Sequence, residues 1–391
     1  MTASVRQATW ILPLSILLLS LPVAGGAQST FNAGGLGLVQ DPLDARTRSL
    51  GGVGTGLPGW QMLLTDPAAA AGLDLPSIAG TFQPSTSQVE GNPEAGGTRF
   101  PAVGVSYPFG RHVFTAQFGS FLDQEWEVTA PREVELVDGP VTGLDRFESR
   151  GGVGQARVGW ATRIGEQLAV GLNVGSLTGT VERSFTRELP EEEVGPEVED
   201  YRVQGRWRAG GAIMAAGLEW DPSDLFRVGV AAEWVGDLTL SPTGGTAMEE
   251  KSYTMPLTLR GGGSFTLAPD LLLVLGVSRA DWSGVDADLG GDMARDVAWS
   301  YGGGLEWGRA TILGRDMPFR VGYRVQELPF HVQGEPAEER AFSGGLGVNL
   351  ADTETMPVAR LEFGVERGSR EAGTFSEDFW RTTLSLRLAG G

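Results

Sequence analysis

The side chains that could do chemistry in this 391-residue chain are arginines and carboxylates, and little else. Cysteine is absent, which excludes disulfides, zinc–thiolate sites and thiol nucleophiles. His112 and His331 are the only two histidines, and a histidine-assisted hydrolase needs a nucleophile or an activated water beside its imidazole. Lys251 is the only lysine among 30 basic residues, which face 49 acidic ones for a formal net charge of −19. A chain that acidic does not suit a nucleic-acid partner, because phosphate binding needs a basic surface. Two acidic stretches invite a divalent cation: Glu188 with Glu191, Glu192, Glu193, Glu197, Glu199 and Asp200, and the weaker set Asp286, Asp288 and Asp292. The second set lacks a bidentate glutamate where a calcium loop needs one; both stretches read as solvated loops, and no metal site is expected. Gly54-x-Gly56-x-x-Gly59 matches a dinucleotide fingerprint by letter, but it lacks the preceding strand and the β-α-β context, and no cofactor is expected. The residues point away from an enzyme and toward arginines that could hold an anion or cross-link a polar interior.

The elements that carry these arginines are strands. Between Gln155 and Ile164 one face reads Ala156, Val158, Trp160, Thr162 and Ile164, and the other Gln155, Arg157, Gly159, Ala161 and Arg163. The same sorting recurs at Phe226–Trp234, Ala359–Val365 and Trp380–Leu388. A period of two sorts these residues onto two faces, where a helix would scatter them. Read this way the chain holds about fourteen strands, over 77–84, 98–108, 111–128, 147–163, 166–187, 200–220, 225–240, 251–268, 270–284, 293–309, 317–328, 338–350, 356–367 and 378–388. A bulge is expected in the sixth, near Met214–Leu218, where its phase changes.

The connections alternate. Short links follow the second, fourth, sixth, eighth and twelfth strands, at Phe109-Gly110, Gly165, Asp221–Asp224, Pro269 and Ala351–Thr355, and the link after the tenth, Ala310–Asp316, is intermediate. Long polar loops are expected after odd strands, at 129–146, 188–199, 285–292, 329–337 and 368–377. An even strand number with tight turns at one end and long loops at the other is the pattern of an outer-membrane barrel with both termini periplasmic. A propeller would show a repeat of roughly 40–50 residues, which is missing. Strands of this length also exceed the roughly 5–6 residues usual in soluble sheets. Trp126, Tyr201, Trp220, Trp282, Trp307, Tyr323 and Trp380, near strand ends, are expected to form interfacial girdles. The two histidines then fall at opposite ends, His112 in a periplasmic turn and His331 in an extracellular loop.

In such a barrel the polar face is the lumen. Arg157, Arg163, Arg206, Arg208, Arg227, Arg260, Arg320, Arg324, Arg360, Arg381 and Arg387 are read as inward, with Glu233, Glu306, Glu362 and Glu366. Arg206, Arg208, Arg320 and Arg324 are the candidate anion ligands, against the plainer reading of a salt-bridge network filling the lumen. Residues 1–27 read as a cleavable export signal: Arg6, an apolar stretch Ile11–Leu21, and small residues Gly25 and Ala27 ahead of Gln28. Residues 28–76 fit no strand pattern and are expected to form an N-terminal plug, ahead of a barrel over 77–391. In the plug, Trp60, Met62, Leu63 and Leu64 could line an apolar pocket.

The segment Ala45-Arg-Thr-Arg-Ser-Leu-Gly-Gly-Val-Gly-Thr-Gly56, followed by Asp66-Pro67-Ala68, resembles the N-terminal region of the FadL-like and PorV-like outer-membrane barrels. Those commonly carry AR-x-LG-x-GG and then Asn-Pro-Ala. Pro318–Tyr323 and Thr374–Phe379 look similar to the same group. Asp66 stands where the family has asparagine, and the last strand ends Leu388-Ala-Gly-Gly rather than in an aromatic. The resemblance implies an all-β transmembrane antiparallel barrel of fourteen strands with an N-terminal hatch. On the FadL side it implies uptake of hydrophobic molecules such as long-chain fatty acids. On the PorV side it implies a part in the export or surface attachment of proteins. The partners to expect are the bilayer and its lipopolysaccharide, a small hydrophobic ligand, or exported proteins.

Overall fold

The structure is a computed structural model that describes residues 29–390 except 42, 90–93, 137–138, 191–199, 244–248, 290–292, 309–310, 313–314 and 353–356. The expected signal sequence, residues 1–27, lies outside the described residues, as does most of the acidic 188–199 stretch. The chain forms a closed antiparallel barrel of fourteen strands. They are β1 Ser77–Val89, β2 Ala102–Phe109, β3 His112–Asp123, β4 Gly139–Ile164, β5 Leu168–Glu188, β6 Tyr201–Ser223 and β7 Phe226–Val235. The second half holds β8 Thr258–Ala268, β9 Leu271–Asp281, β10 Val297–Trp307, β11 Phe319–Val332, β12 Glu335–Asp352, β13 Pro357–Ala372 and β14 Phe375–Ala389. Each strand pairs with the next, and β1 closes on β14 from Ser77↔Ala389 to Val89↔Glu377. Short pieces extend the wall, among them Ala95–Arg99 on β1, Trp126–Leu136 on β4 and Leu238–Pro242 on β6.

The outward face is apolar. Val158, Val230, Val321 and Phe342 are 60%, 58%, 60% and 71% exposed, and Phe114, Leu172, Met214, Leu259 and Leu275 are exposed around the same belt. A ring of bare aliphatic and aromatic side chains this long would be unstable in water and is what hydrocarbon accepts. The inward face carries Gln155, Arg157, Glu233, Arg320, Glu366 and Arg381, all buried.

Three expectations need correction. The ladder of β6 to β5 runs from Tyr201↔Arg187 to Trp220↔Leu168 without a shift, so the sixth strand has no change of phase. Arg206 and Arg208 therefore share the parity of Met214 and Leu218 and project outward. The stretches 129–146, 329–337 and 368–377 are not polar loops but hairpins that prolong the ladder. In the second and third of these the inner face is buried, with Phe330, Ala337, Arg370, Ala372 and Glu377 turned inward. Gln333 and Gly334, at φ 55 and 84, make the tight turn between β11 and β12. The stretch 285–292 begins within a helix, α2, Ser283–Leu289. Finally, Trp282 is only 5% exposed and packs inside the mouth with Met255 and Val285, so it is no girdle residue. Tyr201, Trp220, Trp307, Tyr323 and Trp380 do stand on the outer surface.

Residues 29–76 run inside the wall. At the loop end, Phe31 packs with Leu328, Phe330, Ala337 and Ala372. Helix α1, Ala45–Ser49, is capped by Asp44, whose carboxylate accepts from Thr47 N at 2.8 Å. Gly51 and Gly56, at φ 72 and 73, let the backbone touch the wall at Gly303 and Tyr323 and at Gly229 and Gly262. A β-carbon at Gly229 or Gly262 would meet the segment's backbone and would have no room. A 3-10 turn, Pro67–Gly72, lies against β4, β5 and β6, with Asp66 as its cap.

The outward position of Val230 predicts that Val230→Arg destabilises the barrel by about 2–4 kcal/mol, as a cation at the middle of a lipid-facing belt does. Denaturant titration of the variant refolded into lipid vesicles checks this. A change under about 0.5 kcal/mol would place Val230 outside the hydrocarbon.

Candidate functional site

The lumen is polar, and its charges form two chains that tie residues 29–76 to the wall. In the first, Arg46 of α1 donates to both oxygens of Glu306 on β10, at 2.8 Å. Arg320 donates its Nε–H to Glu306 at 2.5 Å and also bonds Glu362, to which Arg360 donates at 2.5 Å. In the second, Glu339 on β12 pairs with Arg324 and with Arg370, the latter at 2.8 Å, with Arg381 3.7 Å away. Glu366 receives Arg381 at 3.2 Å and stands 4.0 Å from Arg48. Glu377 accepts from Arg370, from Ser29 Oγ at 2.7 Å, and from Thr30 N at 3.0 Å. On the far wall Arg157 bonds Glu233 and donates to the Leu64 carbonyl at 3.1 Å, while Arg260 sits 3.5 Å from both Glu233 and Asp41.

Of the candidate anion ligands, Arg320 and Arg324 are thus committed to carboxylates within the network. Arg206 is exposed outside and pairs with Glu182 at 2.5 Å, and Arg208 is exposed beside it. Glu339, Arg370 and Glu377, central to the second chain, were not among the sequence candidates. Arg370 and Glu377 lie in a stretch expected to be a loop, and only continuing the alternation past Glu366 would have turned them inward. The two histidines lie at opposite ends of the wall: His112 opens β3 and accepts from Trp160 Nε1 at 3.3 Å, and His331 lies in β11 beside the loop-end turn.

A cavity of about 300 Å³ lies toward the turn end. Trp60 and Met62 line it from inside, with Gln117 and the charged Arg360, Glu362 and Arg387. The Arg387 guanidinium stands 5.7 Å from the Trp60 ring centre. Leu64 is not part of this lining; it is buried where its carbonyl holds Arg157 and Asn173. Asp66, Pro67 and Ala68 are also elsewhere, against Gly171 and Gly217.

This cavity crosses the wall. Gly80, Val103 and Leu386 also line it, and Val103 and Leu386 belong to the lipid-facing side. The reason lies in the ladder. β1 pairs with β2 from Ser77↔Ser106 to Gly80↔Val103, and with the Ala95–Arg99 piece from Gln83↔Arg99 onward. Between these, Thr81 and Phe82 face Phe100, Pro101 and Ala102 with no ladder pair among the described residues. Pro101 has no N–H to give, so the ladder breaks there. Phe82 and Phe100, rings 5.5 Å apart, cover the break from outside.

The network predicts a contrast in stability. Glu339→Gln leaves Arg324, Arg370 and Arg381 short of a buried counter-charge and destabilises by about 3–5 kcal/mol. Arg206→Ala, breaking an exposed pair, changes stability by less than about 1 kcal/mol. Unfolding midpoints of the two variants in the same detergent check the contrast.

No family model matches the chain, and neither does any curated protein. Solved structures do. The *Ralstonia pickettii* toluene transporter TbuX superposes with a TM-score of 0.61 at 15% identity, over 90% of this chain and 99% of that one. The CymD monoaromatic hydrocarbon channel gives 0.59 at 15% identity, over 89% and 97%. A *Pseudomonas aeruginosa* FadL homologue gives 0.56 at 13% identity, over 93% and 99%. At such identities the likeness is one of backbone architecture. The chain has the fold of the FadL-like outer-membrane barrels.

Proposed function

We propose that the chain is an outer-membrane channel for the uptake of small hydrophobic solutes, with residues 28–76 as its plug and residues 1–27 as a removable export signal. The turn end, where β1 begins and β14 ends, is the periplasmic side, and the prolonged hairpins are extracellular. The single observation that carries the reading is the cavity at the β1–β2 break, which joins an interior lined by Trp60 and Met62 to the lipid-facing Val103 and Leu386. An apolar solute that enters the lumen can leave through such a break without crossing a polar exit. A volume of about 300 Å³ suits a compact molecule of a few rings or a short chain. Above it, Leu36, Phe121, Leu177, Ile213, Leu238 and Trp282 form an apolar cluster inside the loop end, which gives such a solute a first surface. The solved neighbours named for toluene and monoaromatic hydrocarbons support the same class of solute.

The test is flux in vesicles loaded with the purified chain. A toluene-sized apolar solute should equilibrate faster than through empty vesicles, and a sugar of similar mass should not. Ala102→Trp, which fills the cavity from the lumen side, should cut the apolar flux severalfold while leaving the barrel folded. Equal flux in the variant, or sugar passage in the parent, would remove this reading. A surface protein co-purifying in stoichiometric amount, with no apolar flux, would favour the PorV-like role instead.

A further inference from the structure

Two buried carboxyls meet where the N-terminal segment touches β6, and neither chain of ion pairs accounts for both. Asp66 is fully buried, and its Oδ1 accepts the Ala68 N–H at 3.1 Å. Its Oδ2 is buried with no partner. Glu219, on β6, is 2% exposed; its Oε2 stands 3.5 Å from Arg227 Nη1, and its Oε1 is likewise buried with no partner. The Asp66 carboxyl rests on Gly217, where a β-carbon would displace it. Glu219 is the next residue on that inward face, and each carboxyl lies within the field of the other. The Gly56 N–H also donates to Glu219, so this one wall residue is gripped by two stretches of the N-terminal segment.

Two acceptor-only groups cannot bond each other, and leaving two buried oxygens bare costs a full desolvation penalty. A metal ion would relieve this with about six oxygen ligands, whereas this pair offers two bare oxygens, and Arg227 and Arg260 stand close by. A proton needs only the two. We propose that Asp66 keeps its proton and donates it to Glu219 Oε1, forming a carboxyl–carboxylate hydrogen bond that latches the N-terminal segment to the wall. Glu219 is the ionised member because Arg227 faces it.

The groups around the pair set its pH response. Asp66 faces Glu219 from β6 and Arg260 from β8, with the Ala68 and Ala69 N–H groups at its cap. Glu219 faces Arg227 from β7, Asp221 from its own strand and Arg163 from β4, and its β5 partner is the uncharged Ala169. Burial, with Glu219 as the second cause, raises the Asp66 carboxyl well above its ordinary value. The seated segment therefore binds a proton that the free segment releases. The bond holds while Asp66 keeps its proton and is lost as pH rises through the raised value of the seated state. Above it, two negative charges face each other in a dry site, and the segment loosens.

The experiment is infrared spectroscopy of the full mature chain in detergent, paired with amide exchange over 67–73, both across a pH series. The parent should show the carbonyl band of a protonated carboxyl at neutral pH, and Asp66→Asn should lack it. In the parent, raising pH should remove the band, and exchange corrected for its intrinsic rate should rise roughly tenfold through the same interval. Asp66→Asn, whose amide donates at every pH, should show no such step. Should that variant not fold, Glu219→Gln serves: its amide can donate to an ionised Asp66, so band and step should both vanish. A parent without the band, a band or step that survives Asp66→Asn, or either one surviving Glu219→Gln, overturns the proposal. None of these readouts depends on solute passage, so failure of the latch and failure of the channel reading are separate results.

Discussion

A sheet in hydrocarbon cannot leave an edge, because an unpaired backbone N–H or C=O there has no water to turn to. The pairing of β1 with β14 over Ser77–Val89 meets that constraint, and most other features follow from it. Closure forces every strand to show one face outward and one inward. With an apolar solvent outside, the polar residues of each alternation are driven into the lumen. Arg157, Glu233, Arg320 and Glu366 are buried for this reason, and not because a core selected them.

Charges confined in this way must neutralise each other. Arg46, Arg48 and Asp41 come from the N-terminal segment, and their partners Glu306, Glu366 and Arg260 come from strands on different sides of the wall. The segment is therefore held by ion pairs and hydrogen bonds as well as by apolar packing of Phe31, Leu38, Leu50, Val53 and Leu73. Such polar contacts can be exchanged for water one at a time, which is compatible with the plug role proposed for this segment. Wall glycines such as Gly229 and Gly262 make the arrangement possible, since the segment's backbone occupies the space their side chains would fill.

The break between β1 and β2 interrupts a wall ladder at Pro101, and the β1–β14 ladder lapses beside it at Gln83 and Pro84. Thr81 and Phe82 pair with Ser385 and Leu384 of β14 but lack ladder partners on the β2 side, which carries a cost in lipid, and Phe82 and Phe100 shield the gap. A costly interruption beside the cavity lined by Trp60 and Met62 links a defect in the fold to the proposed route of the solute.

The alternation of residues such as Gln155–Ile164 and Phe226–Trp234 was enough to determine, from sequence alone, a fourteen-stranded barrel and the sidedness of most wall residues. Local parity needs no knowledge of the rest of the chain. Parity failed where it was assumed to break, at β6, and Arg206 and Arg208 went to the wrong face. It was abandoned too early at 368–377, which hid Arg370 and Glu377. What only the tertiary structure decided is which inward residues meet. Asp66 and Glu219 are 153 positions apart, and nothing in either neighbourhood announces the other. The cavity likewise depends on where Trp60 and Met62 land relative to the β1–β2 break. That placement is set by closure of the ring and by the ion pairs across it, neither of which leaves a local signal in sequence.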